Sequence, residues 1–343
     1  MQKKAIVTGG AGFIGSHMVE CLLNEGYSVI AIDDMSNGQQ ENIDLFKDNP
    51  NYTFLKIDLS KEFDDTIFKN ATYIFHMAAL ADIVPSVENP INYHNANVTG
   101  TLRVLEACRK HSIKKMVFSA SSSCYGIPDK YPTPENAEMR PQYPYAFTKL
   151  IAEQYVMFWY KMYSLPVISL RYFNVYGPRG RTNNTYGAVF KVFLSQKLNG
   201  KPLTIVGDGT QTRDFVYVTD IANANLLAAE SSIVGEIINI GAGNPQTINY
   251  LADLIGEKTI HIPKRPGEPD STHADISKAV DILKWQPSVS FEDGVKIMLD
   301  NIEYWKNAPL WDKVSIEKAT KKWFEYLTEQ GDKKSQAEYL IRY

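Results

Sequence analysis

Two residues of this 343-residue chain, Tyr145 and Lys149, lie four positions apart and could perform acid–base chemistry together. A spacing of four places a phenol and an ammonium on one face of a helix. A positive charge beside a buried phenol favours its ionised form, so we expect the pKa of Tyr145 to fall toward neutrality and the phenolate to act as a base. The same spacing is frequent in ordinary amphipathic helices, so further motifs must support it.

A glycine turn near residue 10 could hold phosphate groups. Gly9, Gly12 and Gly15 are spaced three apart, after an apolar run typical of a buried strand and before the apolar pattern of a helix. Glycines at these positions permit a tight turn, a close approach of the backbone to a pyrophosphate, and close packing of helix on strand. The sequence therefore predicts a dinucleotide site there, with Phe13 and Ile14 among its contacts. A Gly-rich turn without a ligand is the alternative.

The next predicted strand, residues 28–32, ends in an acid. Asp33 lies 18 residues after Gly15, close to the ~20 expected for the acid that accepts the adenosine ribose hydroxyls. A carboxylate there would repel the extra phosphate of NADP. The sequence thus favours NAD.

The elements that must position these residues alternate between strand and helix. Further apolar runs predict strands at residues 52–57, 72–79 and 115–121, and a long helix at 92–111. The resulting β-α-β-β-α-β order predicts an α/β fold with a doubly wound parallel sheet and a ligand site at the carboxyl ends of its strands.

Several residues lie at those strand ends. Asp58, followed by Leu59, could reach the adenine amino group or cap the following helix. Ala78 and Ala79 are small enough to let a flat cofactor lie close. His76, inside the same strand, is interpreted as a hydrogen-bonded core histidine.

Composition excludes some classes of partner. Lys and Arg number 36 against 39 Asp and Glu, giving a net charge of -3 and no basic tract for nucleic acid. No apolar run approaches the ~18 residues of a membrane span. The predicted first strand leaves no room for a signal peptide, so we expect a cytoplasmic protein. Cys21, Cys108 and Cys124 are expected to be core or near-core thiols, and no metal site is expected.

These motifs together resemble the extended short-chain dehydrogenase/reductase superfamily. The resemblance is carried by the glycine turn, Asp33, the strand end at 119–126, Tyr145 with Lys149, and the segment 170–178. Within the superfamily the chain is similar to the nucleotide-sugar epimerases and dehydratases, most of all to UDP-hexose 4-epimerases. The similarity covers about residues 3 to 305.

The resemblance implies a role for each matching residue. Tyr145 would be the catalytic base, Lys149 would hold the nicotinamide ribose and lower the Tyr145 pKa, and Ser121 would hydrogen-bond the sugar oxygen. Further NAD-site residues would be Asn37, Asp58, Leu59, Ser119, Tyr172, Phe173, and Asn97, which would support the loops around the cofactor. Residues for a nucleotide-diphosphate sugar would be Ser122, Ser123, Asn174, Ala188, Val189, Arg213, Arg265 and Glu268. Guanidinium groups grip phosphate oxygens bidentately, although surface ion pairing is the alternative for both arginines.

The residues after Ser121 bear on which reaction follows. Dehydratases of this family carry an Asp-Glu pair where this chain has Ser122 and Ser123, and decarboxylases usually keep the Glu. A hydroxyl cannot replace a carboxylate as acid or base near pH 7, so the resemblance favours 4-epimerisation. Dehydration or decarboxylation is the alternative, and a non-catalytic NAD(P)-binding regulator is a second. Thr272 matches a position where a small residue admits an N-acetyl group, and uronate substrates also remain open.

The predicted domains are discontinuous. Residues 1–178, with about 215–240 returning, would form the NAD domain; 179–214 and 241–305 would bind the sugar nucleotide. We expect a helix at 216–230, a strand at 236–240, and Trp285 as a packing residue. The 306–343 extension is expected to form two amphipathic helices that pack on the body or serve assembly. The resemblance implies a homodimer through the 92–111 helix and the Tyr145 helix, with Phe147, Tyr155 and Phe158 as interface candidates.

Overall fold

A seven-stranded parallel sheet forms the centre of the molecule. The computed structural model describes residues 2–182 and 187–333. The strands are ordered β3-β2-β1-β4-β5-β6-β11, and each neighbouring pair is parallel. They comprise β1 (Lys4–Thr8), β2 (Ser28–Asp33), β3 (Tyr52–Lys56), β4 (Tyr73–His76), β5 (Lys115–Ser121), β6 (Val167–Tyr172) and β11 (Glu236–Ile240).

Helices cover both faces of this sheet. The helices of the described residues are α1 (Phe13–Asn24), α2 (Gln40–Asp44), α3 (Ile83–Glu88), α4 (Pro90–His94), α5 (Gly100–Lys110), α6 (Pro144–Tyr163), α7 (Val189–Leu198), α8 (Val218–Glu230), α9 (Ile248–Ile255), α10 (Phe291–Asp300) and α11 (Lys313–Lys333). Buried residues of α1 and α8 form one hydrophobic core with the sheet, and those of α5 and α6 form another. The predicted doubly wound parallel sheet is confirmed.

The strand order reverses between β1 and β4. The chain leaves β1 toward β2 on one side, while β4 and β5 extend the sheet on the other. A crevice opens where such a reversal occurs, at the carboxyl ends of the strands. The turn after β1 and the residues after β4 therefore meet at one place.

Smaller pairings lie outside the main sheet. They involve β7 (Asn174–Tyr176) with β10 (Phe215–Tyr217), β8 (Leu203–Val206) with β13 (Thr259–Ile262), and β9 (Thr212–Arg213) with β12 (Gln246–Thr247). A third hydrophobic cluster joins α7, α9 and α10 beside them. These elements carry three of the residues predicted to hold the sugar nucleotide, Asn174, Val189 and Arg213. The domain boundaries themselves stay a prediction.

One helix expectation is confirmed and another needs correction. The helix expected at 92–111 is present as α4 and α5, which are continuous through a π turn at Asn95–Thr99. The helix expected from Val216 begins two residues later, because Phe215–Tyr217 pairs as strand β10. The β11 strand and the buried position of Trp285, whose indole N–H donates to the Asp220 carbonyl, agree with the sequence.

The C-terminal extension packs on the body of the molecule. The structure describes one long helix in it, α11, after a short 3-10 turn at Ile302–Trp305. The prediction of two helices also concerned residues 334–343, which lie outside the described residues. No helix in the described ranges is long and apolar enough to cross a membrane. All three cysteines are free, and Cys108 and Cys124 are buried.

Candidate functional site

A cavity of about 740 Å³ runs along the carboxyl ends of the central strands. It brings together nearly every residue that the sequence predicted for the site. Those lining it include Gly9, Gly12, Phe13, Ile14, Gly15, Asp33, Asn37, Asp58, Leu59, Ala78, Ala79, Ser119, Ser121, Ser122, Ser123, Tyr145, Lys149, Tyr172, Phe173, Asn174, Ala188, Val189, Arg213, Arg265 and Glu268. The roles of these residues stay predictions, but their convergence is a fact of the fold.

The glycine turn leaves no room for side chains. A Cβ on Gly9, whose φ is +71°, would lie 2.8 Å from the backbone nitrogen of Ala78, and one on Gly15 would lie 2.0 Å from the Gly9 carbonyl oxygen. Gly12 is the N-cap residue of α1, so the amino end of that helix opens into the cavity. Backbone N–H groups and the helix dipole favour a phosphate there. This cradle fits a dinucleotide pyrophosphate.

Asp33 ends β2 at the same edge. Its carboxylate is 8% exposed and accepts hydrogen bonds from the backbone N–H of Ala11 at 3.1 Å and of Met35 at 2.9 Å. Burial raises the pKa of Asp33, and these backbone donors oppose that rise. The carboxylate therefore braces the glycine turn as well as facing the cavity, where a ribose would lie.

Ser121 and Tyr145 meet at the other end of the cavity. Ser121 ends β5, and its hydroxyl accepts from the Ser123 backbone N–H at 3.2 Å and lies 2.8 Å from the Ser123 hydroxyl. Tyr145 lies in the first turn of α6, which begins at Pro144. The Tyr145 ring stacks on Tyr143, with 6.3 Å between ring centroids. A substrate hydroxyl placed here would meet two side-chain hydroxyls.

The expected fall of the Tyr145 pKa toward neutrality is wrong for this arrangement. Burial raises the pKa of Tyr145 to about 12, and the hydrogen bond from Ser121 only partly opposes it. Lys149 is not among the groups that shift it. Burial therefore sets the direction of the pKa shift, and a positive charge close to the phenol is needed to bring its pKa toward neutrality.

Lys149 is itself buried, with 4% of its surface exposed. Its ammonium nitrogen lies 4.5 Å from the centroid of the Phe118 ring, a favourable cation–π distance. Burial lowers the pKa of Lys149 to about 8. This amine can therefore exchange a proton near neutral pH more readily than a surface lysine.

Asn97 differs from its prediction as a cofactor contact, since it does not line the cavity. Its amide is 1% exposed and fully engaged: the oxygen accepts from the Leu80 N–H at 2.8 Å, and the nitrogen donates to the Leu80 carbonyl and the Thr148 hydroxyl. It ties the loop after β4 to the helix of Tyr145. That arrangement fits the supporting role that the resemblance implied.

Two arginines share one carboxylate at the far end of the cavity. Arg265 lies 3.1 Å from Glu268, and Arg213 lies 3.7 Å from the same side chain. Both guanidinium groups are largely buried. Planar guanidinium groups can bind phosphate oxygens bidentately, so the two arginines suit this end of the cavity to a diphosphate.

Thr272 lies on the cavity wall beside Asn174. Its hydroxyl donates to the Asn174 side-chain oxygen at 2.7 Å and accepts from the Asp214 backbone N–H at 2.9 Å. This small side chain lines the cavity. Thr272 thus sets the orientation of Asn174 as well as leaving space.

Asp58 does not cap a helix, which corrects one of its two interpretations. Its carboxylate accepts from the backbone and hydroxyl of Ser60 in a local turn, while Asp64 caps the following 3-10 helix. His76 is a core residue as expected: its ring nitrogens lie 2.7 Å from the Thr8 hydroxyl and 2.9 Å from the Thr101 hydroxyl.

Sequence reasoning missed some of the cavity wall. Arg181 pairs with Asp82 and donates to Asn37, which connects the loops after β4 and β2. Lys191 of α7 is buried, and burial lowers its pKa to about 8. The Gly- and Pro-rich loop before Arg181 was a signal for a site residue. Trp323, on α11, also lines the cavity and had no local signal.

The described residues contain no group of three His, Cys, Asp or Glu side chains that could hold a metal ion. A phosphate cradle on a parallel sheet, with a serine, tyrosine and lysine at its carboxyl edge, defines a dinucleotide-dependent enzyme of the short-chain dehydrogenase/reductase class.

Comparison with known proteins agrees with this class. The chain belongs to the NAD dependent epimerase/dehydratase family, whose model matches residues 5–241. A putative UDP-glucose 4-epimerase of Methanocaldococcus jannaschii is 39% identical over 300 residues, which cover 85% of this chain and 95% of that protein.

Two solved structures are similar throughout. The UDP-N-acetylglucosamine 4-epimerase of Methanobrevibacter ruminantium M1, in complex with UDP-N-acetylmuramic acid, has a TM-score of 0.82 and 38% identity, covering 88% of this chain and 99% of that one. UDP-glucuronic acid 4-epimerase of Bacillus cereus, in complex with UDP-glucuronic acid and NAD, has a TM-score of 0.82 and 34% identity, with the same coverage. These findings confirm the prediction of an NAD-dependent nucleotide-sugar epimerase.

Proposed function

We propose that this chain is a UDP-sugar 4-epimerase that keeps NAD bound between turnovers. The observation that carries the proposal is the meeting of Ser121, Tyr145 and Lys149 in the same cavity as the glycine cradle. The serines at 122 and 123 support epimerisation over elimination, because no carboxylate follows Ser121 to expel a group from the sugar.

The residues of this chain would act on the proton of the C4 hydroxyl. Tyr145 accepts that proton as its phenolate and later returns one to the C4 oxygen, while Ser121 holds the oxygen by a hydrogen bond. Lys149, whose pKa is lowered to about 8, holds the ribose of the nicotinamide and exchanges protons with its surroundings. Bound NAD supplies the acceptor and donor of hydride, and its positive charge would lower the Tyr145 pKa.

Epimerisation requires that the oxidised sugar rotate between two faces. The diphosphate end must stay fixed during that rotation, and Arg213 and Arg265 would hold it. Asn174 and the amino end of α7, with Ala188 and Val189, would hold the nucleotide. The sugar end is surrounded by short side chains, Ser122, Ser123 and Thr272, which leave space for the turn.

We infer the substrate class from the similar enzymes and from the short side chains at the sugar end of the cavity. The similar enzymes act on UDP-glucose, UDP-N-acetylglucosamine or UDP-glucuronate according to their names, so uridine is the proposed base. The short Thr272 side chain supports acceptance of an N-acetyl group at C2. Epimerised UDP-sugars are activated donors, so we assign the enzyme to polysaccharide biosynthesis in the cytoplasm. The three free cysteines fit that reducing compartment.

We also propose a homodimer through α6 and the helical stretch formed by α4 and α5, the two helices that the resemblance implied. These neighbouring helices carry large apolar side chains on the surface: Ile91 is 76% exposed, Phe147 53%, Phe158 52% and Met162 62%. Exposed apolar patches of this kind mark interaction surfaces. Tyr155, also expected at this interface, packs against the core and on Trp159 instead.

The proposal is tested by NMR of purified protein incubated with UDP-glucose, UDP-N-acetylglucosamine and UDP-glucuronate. We expect the C4 epimer of at least one to accumulate to equilibrium without added NAD. A 4-keto-6-deoxy sugar or release of carbon dioxide would instead establish dehydration or decarboxylation. Retained NAD with no conversion of any sugar nucleotide would favour a non-catalytic regulator.

A further inference from the structure

The C-terminal helix α11 forms part of the cavity wall at its diphosphate end. Its buried side chains, spaced three or four apart, are Ile316, Thr320, Trp323 and Leu327. Trp323 is 4% exposed and reaches the cavity. The resemblance to known families ended near residue 305, so this contact comes from outside the part of the chain that carried the predicted site.

Trp323 contacts two consecutive residues of the arginine loop. The guanidinium carbon of Arg265 lies 5.6 Å from the centroid of the indole ring, and the indole N–H donates to the Pro266 carbonyl at 2.8 Å. A cation within ~6 Å of an aromatic face is attracted to it. Leu327, one turn later, packs beside Gly267. The helix therefore fixes both the backbone of this loop and the direction of its arginine.

The other side of α11 is attached to the opposite wall. Lys322 lies 3.2 Å from Glu88, the last residue of α3, and the two helices pack together. Helix α3 directly follows Asp82, which lines the cavity and pairs with Arg181. Helix α11 thus connects the arginine loop with α3.

We propose that Trp323 is a positioning residue for the substrate diphosphate, acting by holding Arg265 toward the phosphates. The inference rests on the proposed nucleotide-sugar substrate. A free arginine side chain loses rotamer freedom when it binds, and one already held in place loses less. Glu268 competes for the same guanidinium from the cavity side, and the indole face opposes its withdrawal.

The contact between α11 and the arginine loop lies beyond residues 5–241, which the family model matches. The two similar structures are matched over 99% of their length but cover 88% of this chain, so part of this chain has no counterpart in them.

Calorimetric titration of UDP into the full-length protein tests the inference. Trp323→Leu keeps an apolar side chain but removes the aromatic face, and we expect the Kd for UDP to rise about tenfold, or ~1.4 kcal/mol. Trp323→Phe should fall between the leucine variant and wild type. Tyr326→Leu, at a 57% exposed position of the same helix, is the matched control and should bind UDP like wild type.

A double-mutant cycle with Arg265→Ala separates positioning from general damage. If Trp323 acts through Arg265, Trp323→Leu should add almost no further loss in the Arg265→Ala background. The inference is overturned if Trp323→Leu still lowers UDP affinity tenfold in the Arg265→Ala background. It is also overturned if both Trp323 variants bind UDP like wild type. If the leucine variant does not unfold cooperatively, Trp323→Phe tests the inference instead. We expect its Kd for UDP to rise two- to threefold, and a wild-type Kd would contradict the inference. UDP has no sugar, so the result does not depend on which reaction the enzyme catalyses.

Discussion

The proposed reaction requires the hydroxyl of Tyr145. Tyr145→Phe keeps the ring stacked on Tyr143 and removes the acid–base group, so we expect kcat to fall about 10²- to 10⁴-fold. NAD content, measured by absorbance after denaturation, should stay as in wild type. Tyr163→Phe, at the exposed end of the same helix, is the control and should retain activity. Unchanged turnover by Tyr145→Phe would remove Tyr145 from the chemistry.

Lys149 should weaken the fold at neutral pH while serving the reaction. Its pKa is 10.5 in a model compound and about 8 here, because burial disfavours the charged amine. Below pH 8 the folded state bears the full free-energy cost of burying the charged amine. This cost decreases as the pH rises from 8 to 10.5, and above pH 10.5 it is absent.

Lys149→Met should therefore abolish activity and raise the free energy of unfolding at pH 7, by roughly 3 kcal/mol at most. Urea denaturation at pH 7 and pH 9.5 measures this, and the gain should be smaller at the higher pH. Lys161→Met, an exposed position on the same helix, is the control. A loss of stability at pH 7 would show that contacts of the amine, such as that with Phe118, outweigh its burial.

At the scale of elements, Asn97 connects the loop after β4 with α6. Its replacement by alanine breaks hydrogen bonds to Leu80 and Thr148 and leaves buried groups without partners. We expect Asn97→Ala to lower the free energy of unfolding by about 1–3 kcal/mol and to reduce the NAD retained on purification. Asn95→Ala, exposed in the same π turn, should change neither. Wild-type NAD content in Asn97→Ala would limit this residue to stability.

The exposed faces of α4 and α6 make a prediction about assembly. Placing a charge there, as in Phe158→Asp, should convert the proposed dimer to monomer, because an unpaired carboxylate is costly to bury at an apolar interface. Light scattering coupled to size exclusion measures the mass. Val314→Asp introduces the same charge at a 74% exposed position on α11 and should leave the mass unchanged. A wild-type protein that is monomeric at all concentrations would contradict the dimer directly.

Over the whole molecule, the sheet and most of the cavity were predictable because they rest on local patterns. Apolar runs end in glycine, acid or hydroxyl residues, and parallel strands bring those ends to one edge. Asp33 and Ser121 could therefore be placed together although 88 residues separate them.

What the sequence could not supply depends on burial and on distant packing. The Tyr145 pKa rises since the surroundings exclude water, which spacing to Lys149 does not reveal. Trp323 contacts Pro266, 57 residues earlier in the sequence, only because the fold brings the two together. The hydrogen bonding of the Asn97 amide likewise depends on Thr148, which lies on another helix.

The central claim is that the hydrogen at C4 leaves and returns within one enzyme molecule, with no other change to the sugar. Its most direct test uses a UDP-sugar from the active panel labelled with deuterium at C4, followed by NMR in ordinary water. We predict that the C4 epimer forms with its deuterium retained at C4. Loss of that deuterium to solvent, or a product altered at C5 or C6, would contradict the account.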